Sequence, residues 1–158
     1  MSDQITVTRT VHATPQQLFA LLSDPGRHPE IDGSEMLRGV EGASSITGTG
    51  DEFVMNMRND LLGAYQIANT VTAYEQDRKI GWAPSLHPID GYTDKLGDTR
   101  VEGHTFTWEL TPEGGGTAVT QTYDWSGVRD DGFRGLLPLL TEQQLADSIE
   151  KAGRRAAS

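Results

Sequence analysis

The stretch that decides the fold is the last one, TEQQLADSIEKAGRRAA, residues 141–157. Its apolar residues recur every three to four positions, which is the spacing of an amphipathic helix. They are Leu145, Ile149, Ala152 and Ala156. Thr141 and Gln144 have the spacing of a capping box at the helix start. Because a helix with one apolar face gains its stability from packing, the rest of the chain is predicted to wrap around it.

Composition narrows the class of protein. The 158 residues include 13 basic and 23 acidic ones, which gives a formal net charge of −10. Such a chain repels phosphate backbones, so nucleic acid is not an expected partner. The absence of cysteine excludes disulfides and thiol catalysis. With no signal-peptide pattern at residues 1–4 and no apolar run of 18 residues, a cytoplasmic protein without a membrane span is expected.

The part of the chain before this helix alternates between apolar and polar residues, a pattern typical of β-strands. Strands are predicted over 5–13, 36–41, 51–58, 64–74, 79–83, 100–111 and 117–125. Thr14-Pro15 begins one short helix that ends before Asp24-Pro25-Gly26, and a second helical turn covers 27–31. The predicted fold is therefore α+β. A curved antiparallel sheet of six to seven strands grips the C-terminal helix, two short helices follow the first strand, and residues 1–158 form one domain.

Several short segments, in this order along the chain, resemble one known superfamily. They are Val7-Thr8-Arg9, Asp24-Pro25-Gly26-Arg27-His28-Pro29-Glu30, Ile80-Gly81-Trp82, Tyr123-Asp124-Trp125 and Leu136-Leu137-Pro138. Together they resemble the START-like superfamily of polyketide cyclase/dehydrase and lipid-transport proteins, SRPBCC, which has the helix-grip fold. The resemblance covers essentially the whole chain. It implies a carrier, a receptor or a cyclase, because the superfamily contains all of these.

A sheet that curves around one helix has more concave surface than the helix can cover. Aromatic and methionine side chains on that surface make an adaptable apolar pocket. The predicted ligand-binding residues are Phe53, Met55, Met57, Tyr65, Asn69, Trp82, His104, Phe106, Trp108 and Tyr123. His104, like Asn69 or Gln121, could orient a ligand, while a structural hydrogen bond is the alternative role for this histidine. If the protein is an enzyme, His104 and Tyr123 are the first acid–base candidates.

The sequence contains no motif for a metal site, a serine nucleophile or a phosphate-binding loop. The four histidines are scattered without a His-x-x-x-His pair, and Asp90, Asp94 and Asp98 lack the ligand pattern of a calcium loop. No Gly-x-Ser-x-Gly motif is present. The glycines at 114–116 precede a strand, so they indicate a hairpin turn instead of a phosphate-binding loop. No metal and no cofactor are therefore expected.

The leading hypothesis is binding of a small hydrophobic molecule, such as a lipid or polyketide, in a cavity between sheet and helix. The first alternative is a polyketide cyclase, aromatase or dehydratase that uses the same cavity. The second is an interaction module like the heat-shock ATPase activators. A monomer or homodimer is expected. The loop 84–99 is predicted to frame the cavity mouth with residues 59–63 and 127–138.

Overall fold

A computed structural model describes residues 3–42, 45–60, 62–88, 96–97 and 99–157. The strands are β1 Gln4–Val11, β2 Leu37–Val40, β3 Glu52–Asn59, β4 Gly63–Glu75, β5 Lys79–Leu86, β6 Thr105–Glu113 and β7 Gly116–Asp124. The helices are α1 Pro15–Leu22, a 3₁₀ helix Pro25–Glu30, α2 Asp131–Arg134 and α3 Glu142–Ala157.

The strands of the described residues form one antiparallel sheet with the order β1-β7-β6-β5-β4-β3-β2. The sheet is not closed, because β1 and β2 lie at opposite edges. The segment with α1 and the 3₁₀ helix joins these two edges. The predicted α+β fold is confirmed: a curved antiparallel sheet, two short helices after the first strand and a long C-terminal helix.

Both main helices begin at a capping box, as the sequence predicts. The amide of Gln17 donates to Thr14 Oγ1 at 3.1 Å, and the amide of Thr14 donates to Gln17 Oε1 at 2.9 Å. The same exchange links Thr141 and Gln144 at 3.1 and 2.9 Å. Each box satisfies amides that have no partner inside the helix, so the start of each helix is fixed by local sequence.

Helix α3 lies over the β1 edge of the sheet and against α1. It buries Leu145, Ala146, Ile149, Ala152 and Gly153. A Cβ atom added at Gly153 would lie 2.6 Å from Val11 Cβ, so only glycine permits this close approach of helix and strand.

Polar contacts hold α3 from its other side, through the segment around the 3₁₀ helix. The amide of Gly33 donates to Ser148 Oγ at 2.9 Å. Lys151 Nζ donates to the carbonyl of Asp32 at 3.4 Å. The helix is therefore fixed between the sheet edge and this segment, which sets its distance from the central strands.

Some predicted strand boundaries were wrong. Strand β5 continues to Leu86, so residues 84–86 belong to the sheet and not to the predicted loop 84–99. Strand β6 begins at Thr105 instead of residue 100. Just before it, Gly103 has a φ of 98° and its Cβ position lies 2.7 Å from the Gly127 carbonyl oxygen, so the chain turns there. Residues 89–95 and 98 of that loop lie outside the described residues.

The first prediction concerns the gripped helix. Leu145 is 1% exposed, so Leu145→Ala is expected to lower the free energy of unfolding by about 2–5 kcal/mol, as measured by urea denaturation. Glu150→Ala, an exposed position on the same helix, is the control and is expected to change it by less than about 0.5 kcal/mol. Equal effects of the two substitutions would contradict the observed packing.

Candidate ligand-binding site

Cross-strand pairs build one continuous wall on the concave face of the sheet. Residues that are directly opposite in an antiparallel sheet project to the same side. The pairs that matter are Met57–Tyr65, Met55–Ile67, Phe53–Asn69, Trp82–Phe106 and Trp108–Gln121. The register therefore brings side chains from five strands, β3 to β7, to one surface.

This wall, the 3₁₀ helix and the segment before α3 enclose a cavity of about 200 Å³. An apolar cavity of about 150 Å³ in another protein is large enough to bind benzene, so this one has room for at least an aromatic ring. The lining includes nine of the ten predicted ligand-binding residues. They are Phe53, Met55, Met57, Tyr65, Asn69, Trp82, His104, Phe106 and Trp108.

Tyr123 is the tenth, and it does not line the cavity. Its ring is fully buried and stacks on Phe106, with the ring centroids 4.5 Å apart and the planes at 3°. Burial raises the pKa of the Tyr123 hydroxyl, an effect that the nearby backbone of Leu139 opposes only in part. The hydroxyl therefore stays protonated, and the Tyr123 side chain is buried beside Phe106 of the neighbouring strand.

His28, which sequence reasoning missed, also lines the cavity. Its ring stacks on Trp82 at a centroid distance of 4.8 Å and meets Phe53 edge to face at 5.5 Å. His28 Nε2 lies 2.8 Å from the carbonyl oxygen of Leu22, so in the neutral ring Nε2 carries the proton and donates. Burial lowers the pKa of His28. A histidine in a polar Pro-Gly-Arg-His-Pro-Glu turn gives no periodic signal of this inward position.

Leucines form a further part of the cavity lining. Those in the lining are Leu37, Leu62, Leu86, Leu96, Leu136, Leu139 and Leu140. Leu136 and Leu139 are 49% and 43% exposed, and they are the exposed large hydrophobic residues of the described chain. Lining residues thus come from all three segments that the sequence predicted at the mouth, 59–63, 84–99 and 127–138.

Three residues of the cavity wall hold buried polar atoms without a hydrogen-bond partner among the described residues. These atoms are His104 Nδ1, Trp108 Nε1 and Gln121 Oε1. Burial among Phe106, Tyr123 and Phe133 lowers the pKa of His104 to about 4. The imidazole is therefore neutral at pH 7, and these three side chains present uncharged polar atoms.

The described residues lack a metal-ligand cluster and a membrane-spanning helix. No group of three or more His, Asp or Glu side chains there could hold a metal ion. No helix in that part of the chain is long and apolar enough to cross a membrane.

The fold and the cavity define a helix-grip protein of the START-like class. The chain belongs to the polyketide cyclase/dehydrase and lipid transport family, whose model matches residues 2–157. Among curated proteins, it is 33% identical over 136 residues to the uncharacterized protein Rv0088 of Mycobacterium tuberculosis. That match covers 81% of this chain and 52% of Rv0088, so the chain spans about half the length of the curated relatives it matches.

Solved structures share the fold at low sequence identity. Protein Ms6760 from Mycobacterium smegmatis superposes with a TM-score of 0.69 at 14% identity, over 99% of this chain and 92% of that one. Truncated norcoclaurine synthase from Thalictrum flavum gives a TM-score of 0.63 at 15% identity, over 98% and 93% of the two chains. At these identities the likeness establishes the fold alone.

The burial of two neutral histidines predicts a pH effect on stability. In the unfolded chain a histidine has a pKa near 6.5, so unfolding takes up protons below that value. The free energy of unfolding is therefore expected to fall between about pH 6.5 and pH 4, by up to about 1.4 kcal/mol per pH unit for each histidine. In His104→Gln the slope is expected to be smaller. Urea denaturation at several pH values measures this dependence. The same pH dependence of the free energy of unfolding in the wild type and His104→Gln would contradict the assignment to the buried His104.

Proposed function

We propose that this protein binds a small hydrophobic molecule in the cavity between the sheet and α3. The observation that carries the proposal is an interior space of about 200 Å³ whose wall is largely apolar and includes aromatic and methionine side chains. Such a wall repacks around ligands of different shape, because methionine is flexible and polarisable. A few polar groups among the apolar ones are the usual composition of a small-molecule site.

Apolar burial gives an estimate of the affinity. It contributes roughly 25 cal/mol per Å², so removing about 400 Å² of combined apolar surface from water yields about 10 kcal/mol. Association costs at least about 4 kcal/mol of lost translational and rotational freedom. The remaining 6 kcal/mol or so corresponds to a dissociation constant of roughly 10–100 µM. Polar contacts at the wall add to this value.

An acid–base enzyme using the same cavity has weaker support. With a pKa of about 4, His104 is a weak base at neutral pH. It has no described hydrogen-bond partner at Nδ1 that would raise its basicity. Tyr123, the second candidate, is outside the lining, and burial raises its pKa and makes it a weaker acid.

An interaction module of the heat-shock ATPase activator type also has weaker support. A module of that type would show an exposed apolar patch beside α3 and no interior cavity. The exposed large hydrophobic residues of the described chain, Leu136 and Leu139, both line the cavity instead. Their exposure is accounted for by the mouth of a binding site.

The test is the binding of a neutral fluorescent probe, N-phenyl-1-naphthylamine, to the wild type and two variants. Met57→Trp adds volume inside the cavity and is expected to weaken probe binding at least about tenfold, because the ring occupies the ligand space. Arg58→Trp is the matched control. It adds the same ring at the neighbouring exposed position of β3 and is expected to leave binding unchanged.

Two results would contradict the proposal. One is the absence of saturable probe binding to the folded wild type. The other is equal binding by Met57→Trp and the wild type, since the probe would then occupy a different surface. Circular dichroism of each variant establishes that the comparison is between folded proteins.

A further inference from the structure

The cavity wall contains a donor and an acceptor on two neighbouring strands, and neither has a hydrogen-bond partner among the described residues. Trp108 on β6 is paired directly with Gln121 on β7, so their side chains project from neighbouring points of the concave face. Trp108 Nε1 can only donate and Gln121 Oε1 can only accept, yet they do not bond to each other. Trp108 is 3% exposed and Gln121 5% exposed.

Buried polar atoms without partners are costly, and their chemistry indicates what would satisfy them. One group that accepts from the indole N–H and donates to the amide oxygen is a hydroxyl. A ketone or ether oxygen can accept from Trp108 but has no hydrogen for Gln121. A saturated hydrocarbon satisfies neither atom. The pair therefore complements an alcohol or a phenol.

The charge of the wall limits the ligand further. No lysine or arginine is among the described residues that line the cavity. The charged lining residue is Asp32, whose carboxylate accepts from the amide and hydroxyl of Ser34 at 2.8 and 2.5 Å and from the amide of Leu37 at 2.9 Å. A buried ligand carboxylate would therefore lack a cationic partner in this wall, and an unpaired buried charge is strongly disfavoured.

We propose that the cavity selects uncharged molecules that carry a hydroxyl on an apolar skeleton, and that Trp108 and Gln121 together bind this hydroxyl. The inference rests on the proposed function, because it names the ligand class for the same cavity. It distinguishes this protein from a carrier of ionised fatty acids. Trp108 and Gln121 are specificity-determining residues in this account, and Phe53, Met55 and Met57 supply the apolar contact.

The experiment compares three rigid probes of nearly equal size by isothermal titration calorimetry at pH 7. 2-Naphthol donates and accepts, 2-methoxynaphthalene only accepts, and 2-naphthoate is charged. The wild type is expected to bind 2-naphthol about three- to tenfold more tightly than 2-methoxynaphthalene, the value of one net hydrogen bond. It is expected to bind 2-naphthoate at least about tenfold more weakly than 2-naphthol.

Two variants test the assigned residues. Gln121→Leu removes the acceptor and Trp108→Phe removes the donor while an aromatic ring stays in place. Gln121→Leu is expected to reduce the preference for 2-naphthol over 2-methoxynaphthalene to about onefold, with 2-methoxynaphthalene binding retained. Trp108→Phe is expected to weaken both probes by about three- to tenfold and to keep the preference, because both probes accept from the indole N–H. Leu110→Met, an apolar exchange at a buried position of β6 outside the cavity lining, is the matched control and is expected to keep the wild-type preference.

The thermal stability of Gln121→Leu separates a binding role of Gln121 from a purely structural one. A purely structural role predicts that this variant unfolds at a lower temperature than the wild type. Because Gln121 buries an acceptor without a partner, Gln121→Leu is expected to unfold at a temperature no lower than the wild type. Retained fold with lost hydroxyl preference supports the proposal. A lowered melting temperature with an unchanged preference would overturn it.

The outcomes separate this inference from the proposed function. Equal affinities for 2-naphthol and 2-methoxynaphthalene in the wild type would overturn the hydroxyl assignment and leave the cavity as a ligand site. Binding of 2-naphthoate as tight as that of 2-naphthol would overturn the charge argument and with it the proposal. Failure of all three probes and of N-phenyl-1-naphthylamine would overturn both.

Discussion

The close approach of α3 to the edge of the sheet is the constraint on which the rest of the structure depends. Gly153 allows the helix to pack against Val11 of β1, and the Gly33–Ser148 hydrogen bond holds it from the other side. Placed there, the helix covers the β1 side of the concave face. The helix leaves part of the concave face of β3 to β7 uncovered, and the side chains there line the cavity.

This arrangement relates stability to function. The helix and sheet bury enough apolar surface around Leu145 and Ile149 to form a packed core on one side. Farther from the helix, aromatic side chains of the same concave face line an unfilled cavity. Two residues of this wall, Trp108 and Gln121, have buried polar atoms without partners. Unfilled volume and unpaired polar groups both cost stability. A ligand that fills the space and bonds to these groups recovers that cost, which is a physical reason for the cavity to bind one.

The fold could be predicted from the sequence because its signals are local. The capping boxes at Thr14 and Thr141, the helical periodicity after Thr141 and the alternation of the strands each act within a few residues. The concave residues of β3, β5 and β6 followed from the same alternation once a curved sheet was assumed. Strand ends were less well predicted, since the turn at Gly103 depends on its contact with Gly127, which is distant in sequence.

The remaining parts of the site depend on tertiary contacts that no local pattern encodes. His28 enters the cavity because the 3₁₀ helix packs on the sheet and stacks the imidazole on Trp82. Tyr123 has the predicted face, yet it is absent from the cavity lining, because its buried ring packs flat against Phe106 of the neighbouring strand. Alternation gives the side of the sheet and not this side-chain contact. The unpaired atoms of Trp108 and Gln121 depend on interatomic distances across two strands, which register alone does not give.

The central claim is that the concave-face cavity is the site at which an apolar ligand binds. Three of the four methionines, Met36, Met55 and Met57, line it, so ¹³C-labelled methionine methyl groups report directly on its contents. In an NMR titration with 2-methoxynaphthalene, these three resonances are expected to shift together and to saturate at one dissociation constant. Saturable binding in calorimetry with no change in the three cavity resonances would contradict the account.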